Sequence, residues 1–567
     1  MSGVSPTSGP AAPASPAAPT AGPPTLLPRI ERIADGPGTV TFLGSAGADG
    51  REVVPWARLH EDAQGMAAAL QARGVGPGDH VALLGPTSRA FATAVQATWL
   101  AGAAVVCLPL PMRLGSIEEF VAQTRARIRI ADARAVVVDP QLAPFVTPEP
   151  GDPPRCPLDE LVGHAAHWER PPDDPDALAI LQFTSGSTAD PKGVMLPHRC
   201  LTANIDAMIE GSGITPDDTG VSWLPLYHDM GLIGLLTTPM ATGFDLAIAA
   251  PQDFLAAPGD WLRWISEFRG TVTCGPNFAY ALAARALRRL DDIDLSSWRL
   301  ALNGAEPIDP DAVEAFTAAG APYGLPATSP LCVYGMAEAT LAISFPVPGT
   351  GMQCDTVDRA ALEHERVARP ATGEGARRLA LLGRTLRGID LRVCDPDTGA
   401  LLPDRAVGEI ELRGTSITPG YYRRPDVTEA TIRDGWLRTG DLGYLVDGEV
   451  VVCGRIKDVI IVGGRNVYPE EIERAAGTVS GVRAGNVIAF GVAGRRGKEG
   501  IVVVAEHRGE APGRVHDEVV DRVCDAVGIP PLDVVLVEPG TLPKTSSGKL
   551  QRSACKRRYH AGDLGRA

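Results

Sequence analysis

A loop rich in hydroxyl side chains and glycine, Thr184–Gly193, is the first part of the sequence that suggests chemistry. It comes after an apolar strand predicted over Ala177–Leu181, and Lys192 lies near its end. Glycine lets backbone N–H groups turn toward an anion, hydroxyls donate to phosphate oxygens, and a lysine offsets negative charge. The residue order of a Walker A loop is absent. The loop by itself is consistent with a phosphate site and equally with a flexible surface loop.

Further segments combine charged or aromatic residues with glycine, and several come directly after predicted strands. In chain order they are Trp223–Gly231, Asn303–Pro307, Tyr334–Thr340, Thr439–Asp441, Gly454–Asp458, Gly463–Asn466 and Pro543–Lys549. The first holds a His–Asp pair beside two aromatic residues, and the carboxylate of Asp441 suits two ribose hydroxyls.

Each charged residue in these segments also has a structural interpretation when it is taken alone. His228 could be a hydrogen-bonded core histidine, and Asp441 could close an Asx turn. Arg455 could pair on the surface, and Glu338 could favour a helix N-terminus through the dipole. Lys549 could be a solvated loop lysine. The order of the segments favours function for all five, least for His228.

Taken in this order, the segments resemble the adenylate-forming superfamily of acyl-CoA synthetases, luciferases and peptide-synthetase adenylation domains. The resemblance covers nearly the whole chain after residue 24. It implies activation of a carboxylic acid to acyl-AMP with release of pyrophosphate, and ATP and Mg²⁺ as cofactors. It also implies a large N-terminal domain of packed α/β sheets and a small, mobile C-terminal α+β domain.

The resemblance implies a role for each matching residue. The implied ATP-binding residues are Thr184, Ser185, Gly186, Ser187, Thr188 and Lys192 at the triphosphate, Gly304, Ala305, Glu306, Tyr334, Gly335 and Met336 at the adenine, and Asp441 and Arg455 at the ribose. The implied catalytic residues are Lys549, which bridges the carboxylate and the α-phosphate, with His228 and Glu338; the implied Mg²⁺ ligands are Thr188 and Glu338. The implied substrate pocket is Trp223, Tyr227, His228, Asp229, Asn277 and Phe278, and the implied hinge is Lys457.

The composition limits the other classes of function. The 567 residues carry a net charge of −15, which argues against nucleic-acid binding because phosphate neutralisation needs a basic face. No apolar run approaches the roughly 20 residues that span a bilayer, so we expect no membrane insertion. The ten cysteines form no C-x-x-C pair, and the N-terminus lacks the features of a secretory signal. Cytoplasm is the simplest location.

Alternating patterns predict the elements that position these residues. Residues 1–24 are nearly all Pro, Ala, Gly, Ser and Thr, which predicts a disordered tail. Apolar spacing from Trp56 to Leu70 predicts a helix, and Val81–Leu84 predicts a buried strand. The alternation continues to about residue 300 and predicts an α/β fold with largely parallel sheets. The predicted domains are residues 25–456 and 457–567.

Later segments predict short strands and a second set of helices. Strands are predicted at Ile389–Val393, Gly408–Arg413 and Glu449–Val452, and helices at Pro469–Ala475 and His516–Val527.

Other segments narrow the resemblance to the fatty acyl-AMP ligases. These are Gly275–Tyr280, Asp294–Arg299 and Ala484–Phe490, together with an insertion at residues 355–382. In that family the insertion packs against the N-terminal domain and is associated with poor use of CoA. The resemblance therefore implies transfer of the acyl group to the phosphopantetheine thiol of an acyl carrier protein, in lipid or natural-product assembly. A plain surface insertion is the other interpretation, and transfer to CoA is the alternative reaction.

No carrier attachment motif occurs after Lys549, so we expect the carrier protein in trans. Arg495, Arg496 and Lys498, and the run Lys556–Arg558, are candidate docking residues or simply solvated charge. Gly275, Pro276 and Asn277 disfavour amino-acid adenylation, because no acidic residue there could hold an ammonium group. Intact Lys549 and Asp441 argue against an inactive nucleotide-binding regulator. Ala281 and Ala283 leave the acyl chain length open.

Overall fold

The computed structural model describes residues 23–44, 50–110, 117–163, 167–184, 191–493, 499–509, 511–545 and 548–565. The predicted tail up to residue 22 lies outside the described residues, and so do Ser185, Gly186, Ser187, Thr188, Arg495, Arg496 and Lys498. Pro23 and Pro24, which precede the predicted domain start at residue 25, already contact that domain. The Pro23 carbonyl accepts a hydrogen bond from Arg29 at 2.7 Å, and that of Pro24 accepts one from Thr202 at 3.1 Å.

Two largely parallel sheets form the core of the first part of the chain, with strands numbered in chain order. The six-stranded sheet runs β6 (Arg155–Pro157), β5 (Ala135–Val138), β3 (His80–Leu84), β4 (Ala104–Cys107), β7 (Leu178–Phe183), β8 (Gly193–Pro197). The seven-stranded sheet runs β13 (Pro330–Cys332), β12 (Leu300–Asn303), β11 (Val272–Gly275), β9 (Thr219–Ser222), β10 (Asp245–Ile248), β1 (Thr39–Leu43), β2 (Arg51–Pro55). Neighbours are parallel except the pairs β7–β8 and β1–β2.

Helices cover the faces of these sheets, as parallel strands require. They are α1 (Leu27–Ala34), α2 (Trp56–Ala72), α3 (Arg89–Leu100), α4 (Ile117–Ile130), α5 (Leu158–Leu161), α6 (His198–Ser212), α7 (Thr238–Thr242), α8 (Pro251–Ala256), α9 (Pro258–Glu267), α10 (Asn277–Leu287) and α11 (Pro310–Gly320). A π-helical segment, Met230–Thr237, precedes α7. All five residues of β3 are buried, which explains its unbroken apolar run.

Antiparallel sheets form the next part of the chain. They comprise β14 (Tyr334–Gly335), β15 (Ala342–Phe345) and β18 (Arg384–Thr385); β16 (Cys354–Asp358) with β17 (Ala376–Ala380); and β19 (Ile389–Cys394), β20 (Gly408–Gly414), β21 (Ile432–Arg433), β22 (Trp436–Val446) and β23 (Glu449–Arg455). Helix α12 (Pro425–Thr431) precedes β21.

The last part of the chain packs around hydrophobic clusters of its own. Its elements are β24 (Ile460–Val462), β25 (Arg465–Val467), α13 (Pro469–Gly477), β26 (Val482–Ala493), β27 (Glu499–His507), α14 (Pro512–Val527), β28 (Asp533–Val537) and α15 (Arg552–Ala561). We call residues 457–565 the small domain and the preceding residues the large domain. The predicted α/β fold class is confirmed, and the few helices and strands that Sequence analysis predicts by residue range are present to within a few residues.

Candidate active site

A cleft of about 2720 Å³ lies between the two domains. Most of the site residues predicted from the sequence line it. They are Thr184, Lys192, Tyr227, His228, Asp229, Asn277, Phe278, Gly304, Ala305, Glu306, Tyr334, Gly335, Met336, Glu338, Asp441, Arg455, Lys457 and Lys549. The structure therefore brings together segments that are hundreds of residues apart in the sequence.

Strand ends explain why these residues meet. β11, β12 and β13 are parallel neighbours, so the segments after Gly275, Asn303 and Cys332 leave one edge of the sheet together. Thr184 comes directly after β7 at the corresponding edge of the six-stranded sheet. In open α/β sheets ligands bind outside the carboxyl ends of the strands, and this cleft lies at that edge.

A chain of polar contacts joins Lys549 of the small domain to the large domain. The Lys549 Nζ atom lies 3.3 Å from His228 Nε2, and His228 Nδ1 lies 2.6 Å from Asp229 Oδ1. A carboxylate that accepts the Nδ1 proton leaves Nε2 free to accept from the ammonium group. Burial raises the pKa of Asp229, but its interactions with His228 and Lys549 outweigh burial and hold that pKa below its usual range. Burial also lowers the pKa of Lys549.

Asp441 is a buried carboxylate that two donors hold from different sides. The Tyr334 hydroxyl donates to Asp441 Oδ2 at 2.7 Å, and Arg455 Nε donates to Oδ1 at 2.9 Å. Asp441 raises the pKa of Arg455, and burial raises the pKa of Tyr334 far above its usual range, so both stay protonated. Each carboxylate oxygen keeps a second lone pair, so Asp441 can still accept from a diol.

Glu338 has the chemistry of a ligand for a hard cation. Its Oε1 atom accepts a hydrogen bond from the Tyr421 hydroxyl at 2.8 Å, and burial raises its pKa. No group of three or more metal-ligating side chains occurs among the described residues. Mg²⁺ is commonly held by one or two carboxylates together with substrate phosphates, so a single buried carboxylate fits such an ion. Thr188, the other implied ligand, lies outside the described residues.

Lys192 lines the cleft beside Tyr421. Its Nζ atom is 5.7 Å from the centre of the Tyr421 ring, and its carbonyl accepts from Thr184 N–H at 3.2 Å. The antiparallel pair β7–β8 thus holds Thr184 and Lys192 close together.

The comparisons with known proteins agree with this geometry. The model of the AMP-binding enzyme family matches residues 31–422. This chain belongs to that family. The putative ligase Rv1013 of Mycobacterium tuberculosis is 42% identical over 517 residues, which cover 88% of this chain and 93% of that protein. The medium-chain-fatty-acid–acyl-carrier-protein ligase JamA of Moorena producens is 38% identical over 416 residues, 70% of each chain.

A solved structure from a study of fatty acyl-adenylate ligases of E. coli and L. pneumophila has the same fold. Its TM-score is 0.88 at 31% identity, and the match covers 96% of this chain and 99% of that chain. The predicted resemblance is confirmed: the protein is an adenylate-forming ligase, a class of enzyme that uses ATP.

Two predicted residues of the enzyme have other surroundings than expected. Trp223 does not line the cleft. It is 2% exposed and stacks on Phe254 with ring centres 3.8 Å apart, so it belongs to the aromatic core behind Phe278. Glu306 lines the cleft, yet its Oε1 atom accepts from Phe278 N–H at 2.7 Å and so holds the first turn of α10 in place.

Apolar side chains of α10, of the Met230–Thr237 segment and of their neighbours line one part of the cleft, which we call the apolar arm. Sequence analysis did not identify most of its lining, which includes Met230, Gly234, Leu235, Cys274, Leu282, Leu302 and Leu341. Cys274 Sγ lies 3.3 Å from Met230 Sδ. Of the two alanines noted in the sequence, Ala281 lines the arm and Ala283 is buried in the core. Apolar side chains in a pocket and in a core give the same sequence pattern, which is why they were missed.

Sequence analysis also missed a charged cluster that anchors the loop of Lys549. Arg552, at the start of α15, forms two hydrogen bonds to Glu473, at 2.9 and 2.7 Å. It also contacts Glu470 at 3.0 Å and Asp458 at 3.3 Å. The loop is closed by Lys549 N–H, which donates to Thr545 Oγ1 at 3.0 Å. The available signal was an arginine three residues after Lys549 and a Glu-Glu-x-Glu run in α13.

The insertion forms the hairpin β16–β17 and contacts both domains, whereas the resemblance implied packing on the N-terminal domain. On the large domain, Arg378 pairs with Glu314 and, at 3.3 Å, with Asp311. On the small domain, Arg377 Nε lies 2.7 Å from Glu471 Oε1, and these side chains are 6% and 5% exposed. A second contact pairs Glu363 with Arg465 at 2.5 Å. The insertion therefore ties the two domains together.

No helix among the described residues is long and apolar enough to cross a membrane.

Proposed function

We propose that the enzyme converts a carboxylic acid with an apolar chain into acyl-AMP, then passes the acyl group to the phosphopantetheine thiol of a separate acyl carrier protein. The observation that carries the proposal is the contact between Lys549 and His228. It brings the cation of the small domain to the end of the apolar arm, beside the Asp441 network.

In the first half-reaction a carboxylate oxygen attacks the α-phosphorus of ATP. A bond forms between that oxygen and the phosphorus, and the bond to the β-phosphate oxygen breaks, which releases pyrophosphate. Both reactants are anions, so a cation where they meet lowers the barrier. Lys549 supplies that charge, and the His228–Asp229 pair fixes its position. Asp441 accepts from the ribose hydroxyls, while Arg455 and Tyr334 hold it in place.

Glu338 and Thr188 would hold Mg²⁺ with the phosphate oxygens. The ion supplies charge neutralisation on the triphosphate when it is bound. Lys192, together with the hydroxyl-rich loop before it, takes the charge of the leaving pyrophosphate.

The walls of the arm indicate the class of acid. The side chains named above for the arm are apolar, two of them contain sulfur, and the small residues Gly234 and Ala281 leave room. Burying each methylene in such a pocket contributes about 0.8 kcal/mol. A fatty acid therefore gains from the arm, and the name of the relative JamA, a medium-chain-fatty-acid ligase, supports that class.

In the second half-reaction a thiol attacks the acyl carbonyl. A carbon–sulfur bond forms, AMP leaves, and the thiol proton passes to solvent. Lys549 occupies the approach to the adenylate, so we propose that the small domain swings about Lys457 between the halves. Lys457 lies between β23 and β24, where the chain passes from one domain to the other. Burial lowers the pKa of this lysine.

The insertion supports a carrier protein over CoA as acceptor. A swing must separate the small domain from the insertion, so the Arg377–Glu471 and Glu363–Arg465 contacts must be exchanged for contacts with water or with the acceptor. A carrier protein offers a protein-sized surface whose binding can offset the loss of these contacts. CoA is a small molecule with far less contact area.

The test is to incubate the enzyme with ATP and a series of straight-chain acids, then with either a phosphopantetheinylated carrier protein or CoA. Mass spectrometry detects the thioester, and pyrophosphate release reports adenylation. We expect acid-dependent pyrophosphate release in both cases and a thioester on the carrier at a much higher rate than on CoA. Equal or faster formation of acyl-CoA would contradict the acceptor. Release that does not depend on added fatty acid would contradict the acid class.

A further inference from the structure

Besides Arg552, further arginine side chains line the part of the cleft that the small domain forms, and we call this part the arginine groove. They are Arg474, Arg483, Arg508, Arg557 and Arg558. Two of them are matched by carboxylates: Arg474 lies 3.8 Å from Asp309, and Arg483 lies 2.7 Å from the buried Glu506. The other three leave a local excess of positive charge on a chain whose net charge is −15.

Arg508 and Arg557 are the accessible members of this set. Both side chains are exposed, and neither guanidinium has a hydrogen-bond or ion-pair partner within the part of the chain that the structure describes. Arg558, from the same basic run, instead donates to the carbonyls of Thr541 and Asp563, so it holds the end of α15 in place. An exposed guanidinium without a partner is poised for a carboxylate or phosphate, to which it can donate two parallel hydrogen bonds.

Lys549 lines the same cleft as the groove residues, so a flexible arm that enters beside them would lead toward the proposed position of the adenylate. Arg508 and Arg557 both belong to the small domain. A partner bound to them therefore keeps its contacts whichever way that domain turns about Lys457.

We infer that the arginine groove binds an acidic acyl carrier protein through Arg508 and Arg557 and directs its phosphopantetheine arm into the cleft. The inference rests on the proposed function. Complementary charge at the rim of an interface raises the association rate and sets its dependence on salt. The groove thus assigns the carrier to one side of the small domain and gives its recognition an electrostatic basis.

The experiment compares two double charge reversals with the wild type. Arg508→Glu/Arg557→Glu reverses the groove. The matched control, Arg32→Glu/Arg289→Glu, makes the same change in charge on α1 and just after α10. Both of these arginines are exposed, do not line the cleft and have no side-chain partner among the described residues. Acid-dependent ATP–pyrophosphate exchange reports adenylation for each protein. The KM for a phosphopantetheinylated carrier that the wild type loads, measured at low and high salt, reports docking.

We expect the groove variant to raise the KM for the carrier about tenfold, because two attractive exposed pairs become repulsive, and to flatten its salt dependence. Exchange stays within about twofold of the wild type, and the control variant keeps the wild-type KM. An unchanged KM in the groove variant, or an equal rise in the control, overturns the docking surface while the proposed function stands. A wild type that loads CoA and no carrier overturns the proposed function, and the docking surface with it.

Discussion

The arginine that anchors the loop of Lys549 allows a quantitative prediction. Arg552→Gln removes the single cation shared by Glu473, Glu470 and Asp458, whose side chains are 14%, 17% and 13% exposed. Removing one partner of a buried ion pair costs about 3–5 kcal/mol. We expect this energy to be expressed as loss of order in the segment from Thr545 to Arg552, because α15 and α13 then lose their charged contact.

This disorder should lower the rate of adenylation because it displaces Lys549. A misplacement of about 1 Å in a positioned catalytic group can lower the rate about 100-fold. We therefore predict that Arg552→Gln lowers the kcat of ATP–pyrophosphate exchange about 100-fold. Transfer of the acyl group from supplied acyl-AMP should change only a few-fold, since Lys549 has no role in that half. Arg552→Lys keeps the charge but loses the two parallel hydrogen bonds to Glu473. Its kcat for exchange should therefore lie between the values of Arg552→Gln and the wild type.

A double-mutant cycle separates this pair from general damage to the fold. The variants are Arg552→Gln, Glu473→Gln and the combination, each checked by thermal unfolding. Residues in direct contact couple by about 0.5–3 kcal/mol, so the double variant should retain more activity than the product of the single effects. The reasoning is refuted if folded Arg552→Gln exchanges pyrophosphate within about twofold of the wild type, or if both half-reactions fall equally.

Three further predictions concern the cleft. Asp441→Asn should raise the KM for ATP about 10- to 100-fold, because hydrogen bonds to a charged group contribute about 1.5–3 kcal/mol each; an unchanged KM in steady-state exchange would exclude a ribose role. Ala281→Phe should narrow the apolar arm and lower kcat/KM for long acids at least about tenfold relative to short ones, because two methylenes would no longer be buried. An equal loss of kcat/KM for acids of every chain length would argue that the arm does not bind the acyl chain. The kcat/KM of exchange for ATP should fall as pH rises through the pKa of Lys549, because only the protonated lysine carries the charge, and burial holds this pKa below the usual lysine range. Lys549→Arg should abolish this loss of activity at high pH. A loss that occurs only at the ordinary lysine pKa would contradict the assignment.

The sequence was most informative where chemistry or backbone geometry restricts the choice of residue. The α/β fold is predictable from continuous apolar strands such as Val81–Leu84, because strands that are buried on both faces need no polar side. The ordered motifs predicted many of the polar residues that line the cleft, since glycine, hydroxyl and charged residues at strand ends are hard to explain by packing. At Asp441 and Lys549, for example, the proposed roles require a charged side chain, which can be recognised in the sequence.

What the sequence could not supply depends on contacts between distant segments. Trp223 lies close to His228 in the sequence, but the tertiary fold turns its ring into the core against Phe254. The carboxylate of Glu306 matched the adenine motif, yet it holds the first turn of α10. The pairs Arg377–Glu471 and Arg552–Glu473 join separate elements, and one charged residue in a sequence does not reveal its partner.

The most direct test of the proposed mechanism is Lys549→Ala measured in the two half-reactions separately. We predict that ATP–pyrophosphate exchange is lost, because this substitution removes the positive charge from the point where the carboxylate meets the α-phosphate. Transfer from supplied acyl-AMP to a phosphopantetheinylated carrier should continue at close to the wild-type rate. A variant that is folded and still exchanges pyrophosphate at the wild-type rate would contradict the central claim that this lysine drives adenylation.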